Sequence, residues 1–258
     1  MLGLLVLAEI GYPLASGVQR ARLVVVTVLV GYTVSVAHAA ATRAWRAATA
    51  LVLVTTGGGF AVEATGVATG FPFGPYAYGT ALGPRLLGVP LVIPLAWTWM
   101  AWPAWLVAGR LTQPAQVRAR PGRDRAGRAG AGRVLLAGIG LAGWDLFLDP
   151  QMVAERYWIW RSPRPTLPAV PDVPVSNYLG WLVVATVLMG LLSWSLGPDR
   201  GTGADRVMYA LYLWTYVSGV LGHAVFLGLP ASALWGGLAM GLVAVPLAVR
   251  LVRESTAW

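Results

Sequence analysis

The chain has no cysteine and no lysine among its 258 residues. The first absence excludes disulfides, thiol nucleophiles and thiolate metal sites. The second leaves arginine as the source of all 19 strongly basic side chains. Charge of either sign is scarce, at 11% of residues, where an ordinary soluble domain carries roughly 25%. Histidine is limited to His38 and His223. They lie on different segments, and no HxxxH or ExxH spacing is present, so a metal site has weak support and none is assigned. His223, in SGVLGHAVF, reads as a hydrogen-bonded bundle residue. The N-terminus shows no basic n-region, so a cleaved signal peptide is not expected.

Apolar side chains fill the space that charge leaves. They make up 57% of the sequence and come in long runs separated by short polar breaks. A transmembrane helix needs about 20 mostly apolar residues. Eight candidate spans meet or approach that length: about 2–16, 23–40, 45–64, 89–109, 134–149, 177–196, 207–228 and 230–250. The first and fifth are short. The expectation is an all-α polytopic membrane helical bundle of seven or eight transmembrane helices, forming one integral membrane domain over residues 1–258. No internal repeat is visible, and many transporters carry one.

A net charge of +9 raises the question of nucleic acid. The arginines, however, sit in the breaks between spans, where the positive-inside rule accounts for them. The break QPAQVRARPGRDRAGRAGAGR, 113–133, carries six arginines against one aspartate. Its glycines and prolines predict a flexible cytoplasmic loop. With that loop inside and eight spans, thirteen arginines lie inside and six outside. The loops 65–88 and 150–176 then fall together on the outer side of a cytoplasmic membrane. Glu63, Asp145 and Asp149 end the spans that lead into those two loops, so three carboxylates from distant parts of the chain share one depth.

Ionisable residues within spans are costly and tend to face a bundle interior or a pathway. Asp145 and Asp149, in GWDLFLDPQM, are spaced i, i+4 and share a helix face. Two carboxylates that close in a poorly hydrated place resist double ionisation, and a carboxylic acid kept protonated is a proton donor. Asp149-Pro150 also matches an N-cap followed by proline, which would open a new helix, PQMVAERYWIW. Pairing with arginine is the plain alternative for Asp145. Hydrogen bonding to a neighbouring helix is the plain alternative for Glu63, which follows GGGFAV. Glu9 is a weaker candidate than these three.

Aromatics crowd the same side. TGFPFGPYAY (69–78), RYWIW (156–160) and NYLGW (177–181) are dense in Phe, Tyr and Trp. An interfacial aromatic belt is one reading. A groove for a long, flat, apolar substrate is the other, and the turn-rich TGFPFGPY is more elaborate than a belt requires. Asn177 opens the sixth span, where N-capping is its default role.

These stretches resemble a known family. GWDLFLDPQMVAERYWIW, followed by P-x-S-N-Y-x-G-W at 174–181, is similar to the membrane-embedded carotenoid hydratases of the CruF type. These include bacterial carotenoid 1',2'-hydratases and a haloarchaeal hydratase of bisanhydrobacterioruberin. The stretch E-A-T-G-x4-FPFGPYAY, 63–78, looks like the same family's first signature. Between Arg161 and Pro174 the chain departs from the pattern, with SPRPTLPAVPDV in place of a glycine-containing aromatic stretch.

The resemblance implies hydration of a terminal isoprenoid double bond to a tertiary alcohol, with no redox cofactor or metal. It implies a lipid-soluble carotenoid substrate, with other carotenoid enzymes as candidate neighbours. Asp145 would be the general acid. Asp149 or Glu63, ionised, would steady the cation and orient the water. Phe73, Tyr76, Tyr78, Trp144, Trp160, Asn177 and Trp181 would bind substrate, and aromatic faces stabilise cations. Three other readings stay open at this level. A polyprenyl transferase is one, since DLFLD is loosely similar to an aspartate-rich motif, though no second such motif is present. A proton-coupled transporter and a non-catalytic pathway subunit are the others.

Overall fold

The computed structural model describes residues 1–113, 123–199 and 201–256, with the backbone alone for 123–129. The architecture is an all-α bundle. Its helices are α1 (Leu2–Leu14), α2 (Gly17–Leu51), α3 (Gly58–Thr69), α4 (Val92–Thr112), α5 (Arg123–Ala154), α6 (Val175–Leu196), α7 (Arg206–Leu221) and α8 (Pro230–Ser255). A π-helical turn at Val52–Gly57 joins α2 to α3, and a second one at Gly222–Phe226 ends α7. A helix satisfies its own backbone hydrogen bonds, which is what an apolar surrounding demands.

Among the described residues, five segments are each long and apolar enough to cross a membrane: Gly17–Thr69, Val92–Thr112, Gly130–Ala154, Val175–Leu196 and Pro230–Ser255. That is fewer than the seven or eight expected, and helix breaks account for the difference. Gly17–Thr69 is not one rod. Ala44, at φ 68 and ψ 166, interrupts it. Before the break, Ser35 donates to the Trp99 carbonyl at 2.9 Å, and Trp102 donates to His38 Nδ1 at 3.0 Å. After it, Thr55 meets Thr98 at 2.7 Å, and Trp97 donates to Glu63 at 3.0 Å. The first arm therefore runs parallel to α4 and the second antiparallel, so the chain reverses at Ala44, between the two spans read from the sequence. Similarly, α7 is cut short at Gly222 only because its helical hydrogen bonding changes to the π pattern. α1, at 13 residues, is about 20 Å long, short of a hydrocarbon core of about 30 Å.

At the Ala44 end, arginines and aspartates lock the elements together. Arg43 bonds Asp199 at 3.1 Å and also pairs with Asp205, and Arg133 bonds Asp199 at 2.8 Å. Of the arginine-rich stretch 113–133, residues 123–133 are the first turns of α5 instead of a loop, and 114–122 lie outside the described residues.

The expected helix start at Asp149-Pro150 does not occur. α5 runs through Pro150 to Ala154, and Trp158–Trp160 forms a strand. A proline within a helix leaves the carbonyl four residues earlier without its donor. Here that carbonyl belongs to Leu146, and Ser232 Oγ on α8 donates to it at 2.7 Å. The next carbonyl, Phe147, is 2.9 Å from His223 Nε2. Neighbouring elements thus supply what proline withholds, and Asp145 and Asp149 stay on one continuous helix face. α8 reaches α5 closely because position 143 is glycine: a Cβ there would lie 2.7 Å from the Met240 nitrogen.

Opposite the Ala44 end, two loops meet. Strand β1 (Tyr76–Tyr78) pairs antiparallel with β4 (Trp158–Trp160), Tyr76 opposite Trp160 and Tyr78 opposite Trp158. Two further short pairs, β2 (Arg85–Leu86) with β3 (Val89–Pro90) and β5 (Thr166–Leu167) with β6 (Val170–Pro174), complete this cap. The loops expected to share one membrane face are thereby tied to each other directly.

Candidate functional site

Beneath the β1–β4 ribbon lies a cavity of about 1240 Å³, including its open mouth. Asp149, on α5, and Glu63, on α3, both line it, as do Phe73, Tyr76, Tyr78, Trp144, Trp160, Asn177 and Trp181. Every residue expected at the site is therefore brought to one place, and all but Asp145 reach the cavity. Asp145 is 0% exposed and is linked to Asp149 through the side-chain amide of Asn177.

The Asp pair is held by one amide. Asn177 Nδ2 donates to Asp145 Oδ2 at 3.0 Å and also to Asp149 Oδ2. Asn177 was expected to cap α6. That helix begins two residues earlier, at Val175, which places Asn177 in the first turn and frees its side chain to reach α5. Trp158 Nε1 donates to Asp149 Oδ1 at 3.0 Å. Asp145 Oδ1 is buried with no hydrogen-bond partner among the described residues. A buried carboxyl oxygen without a partner is costly, and the shared amide offers only two hydrogens to the two carboxyl groups.

Glu63 is in a different condition. Tyr76 and Tyr78 both donate to its Oε2, the second at 2.7 Å, and Trp97 Nε1 donates to Oε1 at 3.0 Å. Three donors converge on one carboxyl group, the arrangement that suits an anion. Glu63 is buried, and it owes this to the glycines ahead of it. A Cβ at Gly59 would lie 2.9 Å from the Trp97 ring, so only glycine lets α3 approach α4 this closely.

The walls are aromatic. Trp97 stacks on Trp181 with ring centres 3.8 Å apart and planes 6° apart. Trp144 stands edge-on to Trp181 at 6.4 Å, and Trp99 edge-on to Trp144 at 5.4 Å. Tyr76 packs on Trp160 at 5.6 Å, and Trp160 Nε1 is anchored to the Phe73 carbonyl at 2.9 Å. Trp97 and Trp158, which supply donors to the carboxylates, were not among the residues singled out in the sequence. They stand in WTWMAWPAW and RYWIW, where many tryptophans compete and nothing local marks which indole faces inward. Both ring nitrogens of His223 face backbone carbonyls, Gly219 at 2.8 Å and Phe147 at 2.9 Å. That leaves it a bundle residue, as read.

A family model described as "carotenoid biosynthesis protein" matches residues 23–244, from the first arm of α2 to the middle of α8. The chain belongs to that family. Within the carotenoid biosynthesis proteins, it is 35% identical over 156 residues to a bisanhydrobacterioruberin hydratase from Haloarcula japonica. That match covers 60% of this chain and 47% of the relative, so the chain spans about half the relative's length. Both findings agree with the resemblance to CruF-type carotenoid hydratases carried by the motifs at 63–78 and 144–181. No solved structure matches.

Proposed function

We propose that this carotenoid biosynthesis protein is a hydratase. It adds water across the terminal C1',2' double bond of an acyclic carotenoid end group and leaves a tertiary alcohol. The observation that carries the proposal is the buried Asp145–Asp149–Asn177 group opening through Asp149 onto an aromatic cavity, with Glu63 facing it. The hydratase name of the Haloarcula japonica relative points the same way.

The chemistry follows from the hydrogen-bond inventory. Asn177 cannot satisfy two carboxylates fully, and Asp145 has an oxygen to spare, so the pair holds one proton between two carboxyl groups. Asp149 faces the cavity and passes that proton to C2' of the alkene; Asp145 stands behind it as its proton partner. This shifts the expected role of general acid from Asp145 to the pair acting through Asp149. The new C2'–H bond leaves a tertiary cation at C1'. Glu63 and the faces of Trp97, Trp144 and Trp181 stabilise it. Water attacks C1', and its proton returns to the Asp pair, so the atoms balance without any change of oxidation state. No redox cofactor or metal takes part in these steps.

The multi-pass bundle suits a site within a membrane, in this reading the cytoplasmic membrane, where a carotenoid dissolves. Cells that accumulate lycopene test the proposal directly when they express the chain. A pigment heavier by one water, absent without the gene, is the expected result. Folded protein that changes neither lycopene nor a longer C50 acyclic precursor would overturn it.

A further inference from the structure

The cavity has a second, polar wall that the proposed chemistry does not use. It is formed by α1, the start of α2 and α7. Glu9, Tyr12, Thr215 and Ser218 line it. Trp214 donates to Glu9 Oε2; Oε1 makes no hydrogen bond to the described residues. Tyr12 is 8% exposed and Trp99 is 5% exposed. The Tyr12 hydroxyl and, on α4, Trp99 Nε1 are both buried with no partner among the described residues. The Thr215 and Ser218 hydroxyls donate to the Leu211 and Thr215 carbonyls, which leaves their oxygens able to accept; with two unpartnered donors and an unpartnered carboxylate oxygen on residues of the same cavity, they call for a small ligand that both donates and accepts. Water is that ligand.

The wall also leads outward. Pro13 and Gln151 line the same cavity, and each lies in the last turn of its helix, α1 and α5. Nearby, Arg20 on α2 pairs with Glu155, just past the end of α5. The stacked Trp97 and Trp181 present apolar ring faces, and the Trp97 N–H is already given to Glu63.

We propose that the Glu9–Tyr12–Thr215–Ser218 wall is the water route of the site, holding and delivering the water that attacks the C1' cation. The inference rests on the hydratase reading. A site sunk among lipid and aromatic rings must be supplied with its second substrate, and the wall that carries substrate cannot also carry water. Protonation at C2' needs only the Asp pair, whereas capture of the cation needs this route. When the route is blocked, the cation has one other exit: it loses a proton and returns to an alkene.

That partition is measurable in deuterated water. The acid then transfers deuterium, so a cation that reverts by losing the original C2' hydrogen or a hydrogen of a C1' methyl leaves deuterium in the recovered carotenoid. The variants Glu9→Leu, Tyr12→Phe and Thr215→Val/Ser218→Ala are compared with Asp149→Asn, in detergent-solubilised full-length protein. Blocking the route should lower hydration and raise the ratio of deuterium incorporation to hydration by about tenfold. Tyr12→Phe, which removes one oxygen, keeps the test available if the larger changes fail to fold. Variants that hydrate at the full rate, or that lose deuterium incorporation and hydration in equal measure, would overturn the route. Asp149→Asn should lose both activities. Wild-type protein that neither hydrates nor incorporates deuterium would instead defeat the hydratase reading itself.

Discussion

Replacing Glu63 by glutamine separates the charge of this residue from its hydrogen bonds. The carboxylate accepts from Tyr76 and Tyr78 at Oε2 and from Trp97 at Oε1. A glutamine fits the same space. With its carbonyl toward Trp97 it still accepts that N–H, and its amide donates to the two tyrosine hydroxyls, which accept as readily as they donate. Folding stability should therefore change by no more than about 1 kcal/mol. The charge is lost outright. At an effective dielectric of about 20 and a separation of roughly 5 Å, a carboxylate steadies a unit cation by about 3 kcal/mol, which is about two orders of magnitude in rate. Thermal unfolding in detergent and the rate of carotenoid hydration measure the two quantities independently. Glu63→Gln protein with wild-type stability and a rate lowered about 100-fold is expected. Full activity would refute the role of the charge. In contrast, Glu63→Ala strands three buried donors and should unfold the site.

Trp158→Phe keeps the ring but removes the donor to Asp149, and should slow hydration about tenfold at a stability cost of about 1 kcal/mol. Gly143→Ala forces α5 off the α8 backbone at Met240, so the solubilised protein should melt at a clearly lower temperature, by about 2–3 kcal/mol of stability. At the other end of the bundle, burial pushes the Asp205 carboxyl up, but hydrogen bonds from Arg43 and Thr202 outweigh it and hold it below its ordinary 3.8. A carboxyl lowered on folding contributes stability above its ordinary value and loses it as pH falls below that value. Wild-type protein should therefore lose stability below about pH 3.8. Asp205→Asn should melt lower at neutral pH and show a flatter acid profile, in melting curves taken across that range.

The bundle was legible because lipid enforces long apolar runs, and the charge distribution placed both loops on one face before the β1–β4 ribbon showed it. The carboxylates were legible for a related reason: an acid in an apolar run needs an explanation. Local rules misled where a distant element answered a local need. Pro150 reads as a helix start until Ser232 arrives from α8 to take the Leu146 carbonyl. Asn177 reads as a cap until Asp145 and Asp149 stand within reach of its amide. That Asp149 faces the cavity and Asp145 lies behind it depends on the rotation of α5, which a spacing of four residues does not reveal. Trp97 and Trp158 became visible as donors only once packing had chosen which indoles turn inward.

The most direct test of the account uses purified protein, an acyclic carotenoid and water enriched in heavy oxygen. Wild-type protein should form a tertiary alcohol that carries the heavy oxygen at C1', and Asp149→Asn should lose it at equal folded yield. An Asp149→Asn protein that forms the labelled alcohol at the wild-type rate would contradict it.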